Sequence, residues 1–95
     1  MGNVVRMTVR KRRDNPGNPL GRVYLTLRDA NYWMDLDEIQ DAIEQRFGEE
    51  DSIPMILARI SELSELGEHI ETRMSLGVGV NHREYRMGGE PQGAA

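Results

Sequence analysis

The side chains of this chain that could do chemistry fall into three groups: a basic run, a set of clustered carboxylates and a pair of histidines. Arg10, Lys11, Arg12 and Arg13 are consecutive near the N-terminus. Four adjacent cations suit a phosphate-contacting arm that draws affinity from counterion release, and they equally suit a solvated charge run. Asp37, Asp41 and Glu44 share one face of a predicted helix, and Glu49, Glu50 and Asp51 follow it. So many acids fit a metal site or an acidic docking surface, but also a solvated helix face whose acids favour the positive N-terminal end. His69 and His82 stand in a chain without cysteine, a pattern that reads as surface decoration rather than zinc binding and excludes a disulfide framework. Asp37 and Asp41 have no histidine or nucleophile placed beside them, and nothing suggests a dry pocket that would shift their acidity. The expectation is a binding protein and not an enzyme, with no catalytic residue, metal, cofactor or small-molecule ligand.

The net charge of −4 conceals an asymmetry. Residues 1–18 set Arg6, Arg10, Lys11, Arg12 and Arg13 against Asp14, a balance of +4, so residues 19–95 carry −8. A basic arm suggests contact with a polyanion, whereas an acidic body argues against broad non-specific nucleic-acid binding. Ninety-five residues make one domain with a small core. No apolar run reaches the length of a membrane span and the N-terminus has no apolar signal core, so a soluble, cytoplasmic protein is expected.

These groups must be positioned by three amphipathic helices and a hairpin. The organising stretch is Ser52 to Gly67, where Ile53, Ile56, Ile60 and Leu63 recur at helical spacing as the buried stripe, with Leu66 at its edge. Ser52 can cap the helix, Pro54 is tolerated in its first turn, and Gly67 supplies a left-handed stop. The opposite face carries Met55, Ala58, Arg59, Glu62 and Glu65, with Leu57 near the boundary. Upstream, Asn18-Pro19 has the form of a helix start, followed by Leu20, Val23, Tyr24 and Leu27 on one face. The segment V-Y-L-T-L also alternates as a strand would, and length does not settle the choice. A break follows at Asp29 to Tyr32, then one or two residues of strand at Trp33-Met34. Asp35 and Glu38 form a capping box for a helix with Leu36, Ile39, Ile43 and Phe47 on its inner face and Gly48 as its stop.

Two alternating segments, His69 to Ser75 and Arg83 to Met87, make a hairpin expected to close the core with Ile70, Met74, Tyr85 and Met87. Trp33 is expected where the short strand meets this hairpin. Val5, Met7 and Val9 alternate within an otherwise polar arm. The expected organisation is a flexible basic arm over residues 1–18, a folded domain over 19–88 and a disordered tail over 89–95.

Helix, short strand, helix, short loop, helix and hairpin is the order of the winged helix-turn-helix fold, which the chain resembles from about Leu20 to Met87. D-L-D-E-I-Q-D-A-I resembles that family's second helix, I-L-A-R-I-S-E-L-S-E-L-G followed by I-E-T-R its recognition helix and first wing strand, and E-Y-R-M its returning strand. The pattern S-I-x-x-I-x-A-R-I-x-x-L is similar to small winged-helix proteins among bacterial and phage DNA-binding factors. The resemblance implies an α+β fold of three helices with a C-terminal two- or three-stranded antiparallel wing. It also implies a transcriptional regulator that contacts double-stranded DNA. The groove-facing positions it implies are Ser52, Pro54, Met55, Leu57, Ala58, Arg59 and Glu62, with Arg73, His82, Arg83 and Arg86 on the wing and Arg10 to Arg13 on the arm. The alternative is a winged helix that binds protein, as an acidic adaptor or a homodimer, with Met55 and Leu57 as an apolar centre and carboxylates such as Glu62 as its rim.

Overall fold

The computed structural model of the chain describes residues 13–75 and 82–88. Arg10, Lys11 and Arg12, the alternating Val5, Met7 and Val9, the hairpin tip and the tail from residue 89 lie outside the described residues. In order, the elements are α1 (Pro19–Ala30), β1 (Met34–Asp35), α2 (Leu36–Phe47), α3 (Ile53–Glu65), β2 (Ile70–Ser75) and β3 (His82–Met87). The strands form one antiparallel sheet in the order β1-β3-β2. This is an α+β arrangement with the element order of a winged helix.

Each helix is bounded by its own sequence. The Asn18 side chain accepts a hydrogen bond from the Gly21 amide at 2.9 Å and Pro19 occupies the first turn, so V-Y-L-T-L is helix. Arg22 and Val23, and again Leu25, Thr26 and Leu27, are buried at consecutive positions, a pattern that the two-residue alternation of a half-buried strand does not give. The helix continues through Ala30, past the expected break, and ends at Asn31 with φ 63°. Asp35 and Glu38 exchange capping hydrogen bonds of 2.8 Å each at the start of α2. For α3, Ser52 Oγ accepts from the Met55 amide. At its other end the amides of Gly67 and Glu68 donate back to the carbonyls of Ser64 and Leu63 at 3.1 and 3.0 Å, and Gly67 has φ 104°. That left-handed conformation suits glycine, which has no Cβ to clash.

The core is formed by Val23 and Leu27 of α1, Ile39 and Ile43 of α2, Ile56, Ile60 and Leu63 of α3, with Met34 and Tyr85 from the sheet. Burying each such aliphatic side chain favours folding by about 1.5–3 kcal/mol before the entropy of ordering is set against it. The central element is α1, which touches α2, α3 and β3. Its residues from Gly21 to Leu27, Tyr24 excepted, are accordingly all buried. Ile70 and Met87 pack on the core as expected, whereas Met74 is 46% exposed. Met74 sits across from Arg83, two pairs further along the same sheet face than Thr72–Tyr85 and away from the core-packed Ile70–Met87 pair.

Residues 13–18 also pack onto the helices. Gly21 permits this, because a Cβ there would lie 1.8 Å from the backbone oxygen of Asn15. The Asn15 carbonyl accepts from the Asn18 amide, and the Pro16 carbonyl accepts from Arg22 Nη1 at 3.0 Å.

Candidate nucleic-acid interface

The outward face of α3 is open along Ser52, Pro54, Met55, Leu57 and Ala58, as the helical spacing requires. Met55 and Leu57 are 37% and 43% exposed. Arg59 is half-buried, because it lies along the helix: Nε is 3.0 Å from Glu62 Oε1 and Nη1 is 3.4 Å from Met55 Sδ. The cation expected to reach a groove is therefore folded back against a carboxylate three residues on.

The turn that presents α3 is held by a buried ion pair. Arg22 Nε and Nη2 donate to Asp51 Oδ2 and Oδ1, both at 2.8 Å, and the two side chains are 8% and 7% exposed. Gln40 Nε2 donates to the Asp51 carbonyl at 3.1 Å, which ties α2 to the same residue. The hydrogen bond from Asp51 raises the Arg22 pKa against the opposing effect of burial. Asp51 is thus not a loop acid waiting beside a phosphate. Its neighbours Glu49 and Glu50 remain exposed. No local spacing links residues 22 and 51, so sequence reasoning had no signal for this pair. The one hint was an arginine inside a helix that otherwise buries its surroundings.

On the hairpin, the register sets Arg73 opposite Glu84 and Glu71 opposite Arg86. Arg73 Nε donates to Glu84 Oε1 at 2.8 Å, and Arg86 Nη2 donates to Glu71 Oε1 at 2.7 Å. Both guanidinium groups also stack on Trp33, at 4.3 Å for Arg73 and 4.7 Å for Arg86 from the ring centroid. The hydrogen bond from Arg86 holds the Glu71 carboxyl below its ordinary range. Arg83 differs: it is exposed, and among the described residues it has no ion-pair partner. The alternation of the strand places it beside Met74, on the opposite face from Arg73 and Arg86. The three wing arginines therefore do not form one surface. His82 continues β3 opposite Ser75, and its side chain lies outside the described part of the structure.

Arg13, expected to be free in the arm, is fastened to the far end of α3. Its guanidinium donates to the Leu66 carbonyl at 2.8 Å and forms an ion pair with Glu68. A cation at a helix C-terminus also meets the negative end of the helix dipole.

Among the described residues no group of three or more His, Asp or Glu side chains is placed to hold a metal ion. No helix among them is long and apolar enough to cross a membrane. Comparison with protein families, with characterised proteins and with solved structures finds no match.

Proposed function

We propose that this chain is a non-enzymatic winged-helix protein that binds duplex DNA, with α3 in the major groove and the wing and basic arm on the backbone. A small bacterial or phage transcriptional regulator working in the cytoplasm is the role this implies. The observation that carries the reading is the uncovered face of α3, capped at Ser52 and joined by the short turn after Gly48 to α2, with the β2–β3 hairpin beyond it. Two helices so joined leave the second free to enter a groove. Met55 and Leu57 then offer apolar contact to thymine methyls. Arg59 can exchange Glu62 for a guanine edge at low cost, since a surface ion pair at this helical spacing is worth only about 0.3–0.5 kcal/mol.

The test is an NMR titration of labelled protein with a random-sequence duplex at low and at physiological salt. Amide shifts along Ser52 to Arg59 and the wing, weakening steeply with salt, are the expected outcome. An absence of shifts at low salt overturns the reading.

A specific observation favours a second reading, a protein-interaction module. Arg13, Arg59, Arg73 and Arg86 are each paired with a carboxylate, while Met55 and Leu57 stand exposed on α3. A basic protein or a second copy of the chain would then cover α3. Replacing both Met55 and Leu57 by serine should abolish such an association without lowering thermal stability, because neither side chain is buried in the monomer.

A further inference from the structure

The two faces of the hairpin differ in charge as sharply as in burial. One face carries Glu71, Arg73, Glu84 and Arg86, two cations and two anions joined in ion pairs with Trp33 laid across the arginines. The other begins in the core with Ile70, Tyr85 and Met87 and continues outward as Met74 and Arg83, both exposed. A phosphate approaching the first face meets no net charge. One approaching the second meets Arg83, whose cation has no carboxylate partner among the described residues.

We infer that the wing meets duplex DNA through the outer end of its core-side face, with Arg83 as the phosphate contact and Met74 beside it, while Arg73 and Arg86 are positioning residues that hold the wing on Trp33. The inference rests on the DNA-binding reading and assigns its wing contact. The geometry explains why such a device is useful. β1 is two residues long and pairs with β3 through Met34–Tyr85 and Asp35–Glu84 alone, a narrow seam for a projecting hairpin. The Trp33 stack engages β2 through Arg73 and β3 through Arg86, so it ties both wing strands to the residue immediately before β1. The direction in which Arg83 points is thereby set against the helices.

The test measures binding of a labelled random-sequence duplex across a salt series for the full chain and three variants: Arg83→Ala, Arg73→Gln with Glu84→Gln, and Arg86→Gln with Glu71→Gln. The paired variants leave net charge unchanged, so their effect on the salt slope reports lost phosphate contact rather than altered charge. Arg83→Ala should reduce the slope of log Kd against log salt by about 0.9, the value of one phosphate. The paired variants should keep the wild-type slope and increase acrylamide quenching of Trp33, the single tryptophan of the chain. A slope unchanged by Arg83→Ala, or lowered by about 0.9 in a paired variant, overturns the contact assignment. Trp33 quenching unchanged in both paired variants overturns the positioning role. If the wild-type chain does not bind at low salt, the DNA reading falls and the contact assignment with it, while the quenching result still decides the positioning role.

Discussion

The turn before α3 and the hairpin after it use the same chemistry, arginine against carboxylate, in opposite surroundings. Arg22 and Asp51 are more than nine-tenths buried and meet through two hydrogen bonds, with a third from Arg22 to the Pro16 carbonyl. On the hairpin, Arg73 and Arg86 are 52% and 39% exposed and each faces a carboxylate while lying on an indole. Burial makes the first pair obligatory, since either charge alone would stand in a poorly solvating interior. Exposure makes the second pairs exchangeable, because water can replace either partner. The turn that presents α3 is therefore locked, whereas the wing is held by contacts that a salt solution or a polyanion can compete for.

The largest effect that could break this contrast is loss of one buried partner. Arg22→Ala should lower the free energy of unfolding by about 3–5 kcal/mol in urea titration, because Asp51 is left buried and unpaired. Removing both side chains should cost less than the two single changes added together, which is the mark of coupled groups. A loss below 1 kcal/mol for Arg22→Ala would mean the turn tolerates solvent and resembles the wing after all.

Next comes Gly21→Ala. Helix propensity alone favours alanine by about 1 kcal/mol, yet the added methyl would collide with the Asn15 backbone. Overpacking of about 1–3 kcal/mol should prevail, and thermal melts should move downward. A rise in melting temperature would show that residues 13–18 are not part of the locked region.

Arg73→Ala should cost about 1 kcal/mol and no more than about 2, the sum of an exposed ion pair and an exposed cation–π contact. The same measurement repeated in high salt should show a smaller cost, whereas that of Arg22→Ala should hardly change.

The smallest effect is on acid stability. Glu71 is lowered chiefly by Arg86, and Asp29 of α1 is lowered first by Arg28 and then by Arg46. A carboxyl with a depressed folded-state pKa contributes stability that is fully present above its unfolded value and is lost as pH falls through the folded one. Stability should thus decline slightly below the ordinary carboxylate range, and Glu71→Gln should flatten part of that decline in melts recorded at successive pH values. Tyr85 works at the other end of the scale: burial raises its phenol, against the opposing charge of Arg83, so its contribution is present at neutral pH and lost as pH rises through the raised value.

Much of the fold was legible because the signals were local. Asn18-Pro19, Asp35 with Glu38, Ser52 with Pro54, and the glycines at 48 and 67 each act within one helical turn, and each is found where the spacing implies. The α3 stripe was legible for the same reason: Ile56, Ile60 and Leu63 follow the helical period and are buried, with Ile53 half-buried at the start. The candidate site was legible only in outline. Ser52, Met55, Leu57 and Ala58 are exposed as expected, but Arg13, Arg59, Arg73 and Arg86 are all engaged by carboxylates, and Met74 lies beyond the core it was expected to close.

The sequence by itself determined where helices start and stop and which stripe of each is apolar, since caps and periodicity act between neighbours along the chain. Only the tertiary structure decided which charges are available. Whether an arginine is a free cation depends on the carboxylate that folding brings to it, and those partners come from 29 positions away for Arg22 and from the facing strand for Arg73 and Arg86. Electrostatic availability is a property of distances in space, and along this chain those distances are set by α1 at the centre and by the register of the hairpin.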